Sequence, residues 1–120
     1  MDKAQALHSF WSAFGIPAYD TYSVPDDAQL PYITYEVAVD NFGSPVAAYA
    51  SLWYRSTSWQ AITAKEKEIA SAITRGGKLI KYTDGALWIR MSSPWAQRMN
   101  DPSDNMIKRM VLSIYYEFLD

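Results

Sequence analysis

Leu30-Pro31-Tyr32-Ile33-Thr34-Tyr35-Glu36-Val37-Ala38-Val39 decides how the rest of the chain is read. The run is rich in aromatic and β-branched residues, and it alternates. Ile33, Tyr35, Val37 and Val39 point one way; Tyr32, Thr34, Glu36 and Ala38 point the other. The pattern predicts the first strand of a sheet, entered through Pro31, where a missing N–H does least harm to the ladder. Before it lies a connector, residues 16–29, holding Pro17, Pro25 and the acidic pair Asp26-Asp27. Two adjacent acids in a loop are usually just solvated. After it, Asp40-Asn41-Phe42-Gly43-Ser44-Pro45 has the composition of a turn or loop.

Working outward, Asp2 can cap a helix, with Gln5 at its third position as in a capping box. Leu7, Phe10, Trp11 and Phe14 then recur at helical spacing until Gly15-Ile16-Pro17 stops them. His8 lies beside that stripe with no second ligand at metal spacing, so it reads as a surface histidine. A second strand is expected from about Ala50 to Ser56, with Leu52 and Tyr54 on one face and Trp53 and Arg55 on the other. Thr57 and Gln60 suggest a second capping box, opening a helix with the stripe Trp59, Ile62, Ile69 and Ile73. Lys65, Glu66, Lys67 and Glu68 form its charged outer surface, and Arg75-Gly76-Gly77 is expected to close it with a base in the last turn and a C-cap glycine.

Lys78 to Tyr82, Thr83-Asp84-Gly85 and Ala86 to Met91 read as a β-hairpin, the Asp-Gly pair being the strongest short signal for one. Leu87, Ile89 and Met91 would face the core. Residues 92–105 carry little periodic signal and read as a loop exposing Trp95, Arg98 and Met99, residue types favoured at interfaces. The final segment alternates cleanly: Met110, Leu112, Ile114, Tyr116 and Phe118 on one face, Arg109, Val111, Ser113, Tyr115 and Glu117 on the other. It reads as a strand pairing with 86–91. The expected class is therefore α+β: two helices packed on an antiparallel or mixed sheet of about five strands, in the order α-β-β-α-β-β-β, as a single domain over residues 1–120.

Composition narrows function by exclusion. The chain has 120 residues, 49% of them apolar and 20% charged, which is enough for a packed core. Its net charge of −2 gives no general attraction to phosphate backbones or anionic membranes. No cysteine is present, so no disulfide framework or thiolate metal site is available, as suits an intracellular protein. The N-terminus lacks the basic-then-apolar order of a signal peptide, and no apolar run approaches bilayer length. Five Trp and nine Tyr exceed what a core of this size needs. They suit either an interface or a sheet with half-exposed rings. Charge is also uneven. Residues 1–50 hold six acids against one base, net −5, and residues 51–120 hold seven acids against ten bases, net +3. Opposed patches of this kind would suit head-to-tail self-association, although a solvated surface is the plainer reading.

The residues offer little for catalysis. One His and no Cys leave no G-x-S-x-G elbow and only His8 for a His-based triad. Gly76-Gly77 stands outside any Walker or dinucleotide fingerprint. Glu66 and Glu68, two apart on a helix, do not face each other. Asp101, Asp104 and Asn105 lack EF-hand spacing and its closing Glu. Aromatic strands could stack bases or sugars, but no RNP pattern or basic stripe accompanies them.

Three stretches in order are more informative. They are Leu30 to Tyr35 after a short helix and a Pro-containing connector, Ala50-Ser51-Leu52-Trp53-Tyr54-Arg55 running into the Trp59 helix, and Ala86-Leu87-Trp88-Ile89-Arg90 followed by Ser93-Pro94-Trp95-Ala96-Gln97-Arg98-Met99 and a last strand ending Tyr116-Glu117-Phe118. Over nearly the whole chain this set resembles the small tail-completion, or tail-terminator (minor capsid), proteins of long-tailed bacteriophages and prophages. The resemblance implies a non-enzymatic virion protein without cofactors. Such a protein assembles, typically as a hexameric ring, on the head-proximal end of the tail tube, stops tube growth and offers a surface to the head connector. Its partners would be itself, the tail tube protein and the head connector or completion protein, with no membrane or direct nucleic-acid contact. It would be found in the virion neck, and in the host cytoplasm during assembly. A head-side connector or completion protein, and a small ligand- or nucleic-acid-binding domain using exposed aromatics, are the alternatives. Residues expected at a protein interface are Asp26, Asp27, Asp40 and Phe42 in the loops flanking the opening strand, with Trp95, Arg98 and Met99 beyond the hairpin.

Overall fold

A computed structural model describes residues 1–38 and 44–119. It places α1 at Lys3–Trp11, extended by a 3₁₀ turn at Ser12–Phe14, and α2 at Gln60–Ile73. The strands are β1 Ala18–Asp20, β2 Tyr32–Tyr35, β3 Val46–Arg55, β4 Lys78–Tyr82, β5 Gly85–Asn100 and β6 Ile107–Leu119. They form one mixed sheet in the order β1-β2-β3-β6-β5-β4, in which β1 and β2 are parallel and every other neighbouring pair is antiparallel.

The expected α+β class, with both helices on the sheet, agrees with this architecture, but the element order needs correction. The opening strand is the second, not the first. Ala18–Asp20, inside the expected connector, pairs in parallel with Ile33–Tyr35. The pairing is bracketed by Ile33 N donating to Pro17 O at 2.8 Å and Thr21 N to Tyr35 O at 2.9 Å. Three residues after a proline carry no period of their own, so only the partner strand reveals them. The opening strand itself is short: regular pairing covers Tyr32–Tyr35, and Glu36 adds one bond, its N–H donating to Tyr49 O at 3.0 Å. Val39, Asp40 and Phe42 lie outside the described residues.

The expected loop at 92–105 is mostly strand. β5 continues to Asn100, and between Met91 and Ala96 its register shifts: five residues of β5 cover the step from Ile114 to Leu112 on β6. Before that bulge the odd residues Leu87, Ile89 and Met91 face the helices, and after it the even residues Ala96 and Arg98 do. A fixed alternation cannot span such a change of parity, which is why the stretch reads as aperiodic.

α1 starts as expected, with Gln5 N donating to Asp2 Oδ1 at 2.8 Å and Asp2 N to Gln5 Oε1 at 2.9 Å. The second capping box does not form. Trp59 occupies the N-cap of α2, while Ser58 Oγ accepts from Gln60 N at 3.1 Å and Ser56 Oγ accepts from Ser58 N. In a run of hydroxyl residues several acceptors compete for the same donors. The helix closes at Ile73 on Thr74, with φ 65°, so Arg75 lies beyond its last turn and the left-handed glycine is Gly77, with φ 90°.

Both helices cover the face built from Ile33 and Tyr35 of β2, Ala48, Ala50 and Leu52 of β3, Leu87 and Ile89 of β5, and Met110 to Phe118 of β6. α1 lies across the strands: Lys3 Nζ is 4.9 Å from the Phe118 ring centroid, and Trp11 stacks on Tyr35 at 6.2 Å. α2 presents Ile62, Ile69 and Ile73 to β3, β5 and β6. Among the described residues no helix is long and apolar enough to cross a membrane.

Tyr116 is wholly buried, its hydroxyl donating to Glu36 O at 3.3 Å and accepting from Trp11 Nε1 at 3.1 Å. Burial raises its pKa far above the ordinary 10.0, and the carboxylate of Glu36 adds to the rise. Tyr35 is raised by burial and then by Asp20, and Tyr54 by burial and then by Glu68. The folded chain thus holds the neutral phenols while the unfolded chain ionises near pH 10.0. The resulting stabilisation is complete below that pH and is lost as pH climbs above it toward the raised folded values. Urea midpoints measured across the alkaline range are expected to fall from about pH 10 upward, and Tyr116→Phe is expected to flatten that fall. An unchanged slope in the variant would refute the assignment.

Candidate functional site

Among the described residues no helix covers the second face of the sheet. Register assigns to it a set of cross-strand rows: Tyr32, Trp53, Arg109 and Met99; Thr34, Ser51, Val111 and Gln97; Ala47, Tyr115 and Arg90; Leu79, Trp88 and Glu117. Among the described residues seven large apolar side chains are exposed, and five of them lie here: Tyr49 and Leu79, each 53% exposed, Met99 at 47%, Tyr115 and Leu119. A solvated sheet face ordinarily alternates to Thr, Lys and Glu. Tyr, Trp, Met and Arg are the residue types that protein interfaces enrich.

Two arginines are laid on tryptophans across this face. The Arg109 guanidinium is 4.5 Å from the Trp53 ring centroid, and its Nε donates to Ser51 Oγ at 3.2 Å. Arg90 sits 4.1 Å from the Trp88 centroid and pairs with Glu117 at 2.8 Å. Each cation–π contact contributes on the order of 0.5–2 kcal/mol, and it also flattens a long side chain against the sheet. The indoles are fixed from their edges too, Trp53 Nε1 donating to Thr34 Oγ1 at 2.9 Å and Trp88 Nε1 to Gly76 O at 2.9 Å. The face is therefore held rigid before anything binds it, which lowers the entropy cost of association. Met99 and Arg109 line two adjoining shallow depressions, one completed by Trp53, Asn100, Asp101 and Pro102, the other by Thr21, Glu36, Tyr49 and Val111. Asp101 is held below the usual carboxylate range by the hydroxyl and then the backbone N–H of Ser103, so it stays ionised at the rim.

The expected interface residues fall in different places. Asp26 and Asp27 are exposed in the connector from β1 to β2, while Asp40 and Phe42 lie outside the described residues. Trp95 belongs to the helix side, where its Nε1 donates to Glu66 Oε1 at 2.6 Å and its ring packs on the core. Arg98 is on that side as well, 4.9 Å from the Trp59 ring centroid. Met99, one residue on, emerges on the helix-free face beside Arg109. Tyr49, Trp53, Trp88, Arg90, Arg109 and Tyr115, none of them among the expected interface residues, share this face. The available signal is that the outward positions of three strands, β3, β5 and β6, carry aromatic residues and arginine together.

Among the described residues no cluster of three or more His, Cys, Asp or Glu is placed to hold a metal ion. The fold is α+β, with two helices layered on one face of a mixed six-stranded sheet. Among solved structures, a chain from the virion of a native gene transfer agent particle has this fold. It superposes with a TM-score of 0.67 over 98% of this chain and 98% of its own, at 15% sequence identity. No family model matches the sequence, and no curated protein matches it.

Proposed function

We propose that this chain is a structural protein of a phage-like virion. As a single domain it assembles into a hexameric ring on the head-proximal end of the tail tube, ends tube growth and presents a surface to the head connector. The observation that carries this reading is the superposition, end to end on both chains, with a component of a gene transfer agent virion. The ordered strand motifs that resemble tail-completion proteins support it from the sequence. The rigid, aromatic- and arginine-rich sheet face supports it physically, since a ring subunit needs surface for the tube and the connector as well as for its neighbours.

Deleting the gene from a particle-producing strain tests the reading. Over-long or unjoined tails beside filled heads are expected. Tails of normal length beside leaking heads would move the protein to the head side of the joint, and intact particles would refute a role in the virion. Complementation with Met99→Asp is expected to leave a folded protein that restores joined particles at least about tenfold less well, because a charge replaces an exposed apolar side chain shared by both depressions.

A further inference from the structure

The two edges of the sheet are chemically opposite. β4 forms one edge, and with the turn before it carries Arg75, Lys78 and Lys81, all exposed. β1 forms the other edge. It ends in Asp20, and the connector that returns to β2 holds the exposed Asp26 and Asp27. None of these six residues takes part in an ion pair among the described residues. Three bases at one edge and the pair Asp26 and Asp27 at the other are thus left to solvent, while Asp20 is half-buried and accepts from Tyr22 N at 3.0 Å.

We infer that the β4 edge of one copy pairs with the β1 edge of the next, so that the sheet continues from subunit to subunit. A bare strand edge is a template for another strand, and lysines on it normally serve to refuse one. Here they refuse selectively. A second β4 would bring Lys78 and Lys81 against lysines, whereas a β1 edge brings carboxylates. The contact is therefore head-to-tail, the kind that closes into rings.

Strand direction agrees. From β1 to β4 the sheet passes one parallel step and four antiparallel ones, an even number of reversals, so β4 runs the same way as β1. Rotation about an axis along the strands preserves direction, and the new pair is parallel. A two-fold pairing of β4 with itself would be antiparallel. Register places Leu79 of β4, opposite Trp88, and Tyr19 of β1, opposite Thr34, on the same helix-free face. Each lies on its edge strand itself, Leu79 in β4 and Tyr19 in β1, so a parallel pairing of the two edges brings them together as cross-strand neighbours. The pairing leaves the rest of that face open to a different partner. The closure of the array into a ring rests on the function proposed above; the edge contact does not.

The absence of cysteine makes the test clean. In the double variant Tyr19→Cys with Leu79→Cys the two thiols of one chain sit at opposite edges, with four strands between them, and cannot bridge within it. Mild oxidation is expected to give a covalent ladder of dimers, trimers and larger species from the double variant, and monomer from either single variant. Lys78→Glu with Lys81→Glu is expected to raise the concentration for half-association at least about tenfold, and adding Asp26→Lys and Asp27→Lys to that chain is expected to restore it. Covalent dimers from Leu79→Cys alone would show a symmetric edge and overturn the inference. Association without cross-linking would overturn it too while leaving the ring reading in place. A ladder that grows into open filaments would uphold the edge contact and refute the ring. A chain that stays monomeric at every concentration would refute both.

Discussion

Trp11→Ala is expected to lower the free energy of unfolding by about 4 kcal/mol, measured as the shift of the urea midpoint at constant slope. The ring is fully buried where α1 crosses the sheet. It lies nearly parallel to Tyr35, with centroids 6.2 Å apart and 14° between planes, and edge-on to Phe10 at 4.9 Å. Truncation removes these contacts, leaves a cavity that a rigid sheet cannot close, and takes away the Nε1 donor to Tyr116 at 3.1 Å. Native domains are stable by about 5–15 kcal/mol, so the loss would put the variant near its threshold. Trp11→Phe keeps most of the ring and loses chiefly the hydrogen bond, and is expected to cost about 1–2 kcal/mol. A loss below about 1 kcal/mol for the alanine variant would mean that α1 does not seat on β2 and β6 as described.

Gly77→Ala is expected to cost about 3 kcal/mol by the same measurement, while its neighbour Gly76→Ala changes stability by less than about 0.5 kcal/mol. Gly77 has φ +90°, a conformation that L side chains rarely adopt. A Cβ there would meet Trp88 Nε1 at 2.3 Å and the carbonyl oxygen of Ile89 at 2.8 Å. The indole can swing away only by giving up its bond to Gly76 O, which also loosens the platform on which Arg90 lies. The Ile89 oxygen belongs to the backbone of β5, opposite Lys78, and cannot retreat without disturbing the β4–β5 ladder. Gly76 has open space around its Cβ position. Equal effects at the two positions would show that this turn is not built as described.

Both variants bear on what a sequence can disclose. The helix stripes and the alternation of β6 were legible because one face of each element is buried, so hydrophobic period and burial coincide. The capping box at Asp2 and Gln5 and the turn between β4 and β5 were legible because their chemistry is local. The turn itself uses Thr83 and Asp84, with Gly85 already paired to Tyr82. Of the expected interface residues that the structure describes, only Met99 lies on the helix-free face; Trp95 and Arg98 lie on the side of the helices, and Asp26 and Asp27 in the connector from β1 to β2.

The sequence by itself determined the class of the fold, both helices, and the strands whose two faces meet different surroundings. It also determined the surplus of aromatic residues and the imbalance of charge between the two halves. Only the tertiary structure decided that Ala18–Asp20 is a strand, because a three-residue parallel pairing is defined wholly by its partner. Only the tertiary structure carried β5 through residues 92–100, because a bulge exchanges inward and outward positions and destroys the period that a reader follows. The surface was decided at the same level. Whether Tyr49, Arg109 or Tyr115 meets a helix or solvent depends on which face of the sheet the two helices cover, and no residue on a strand carries that information alone.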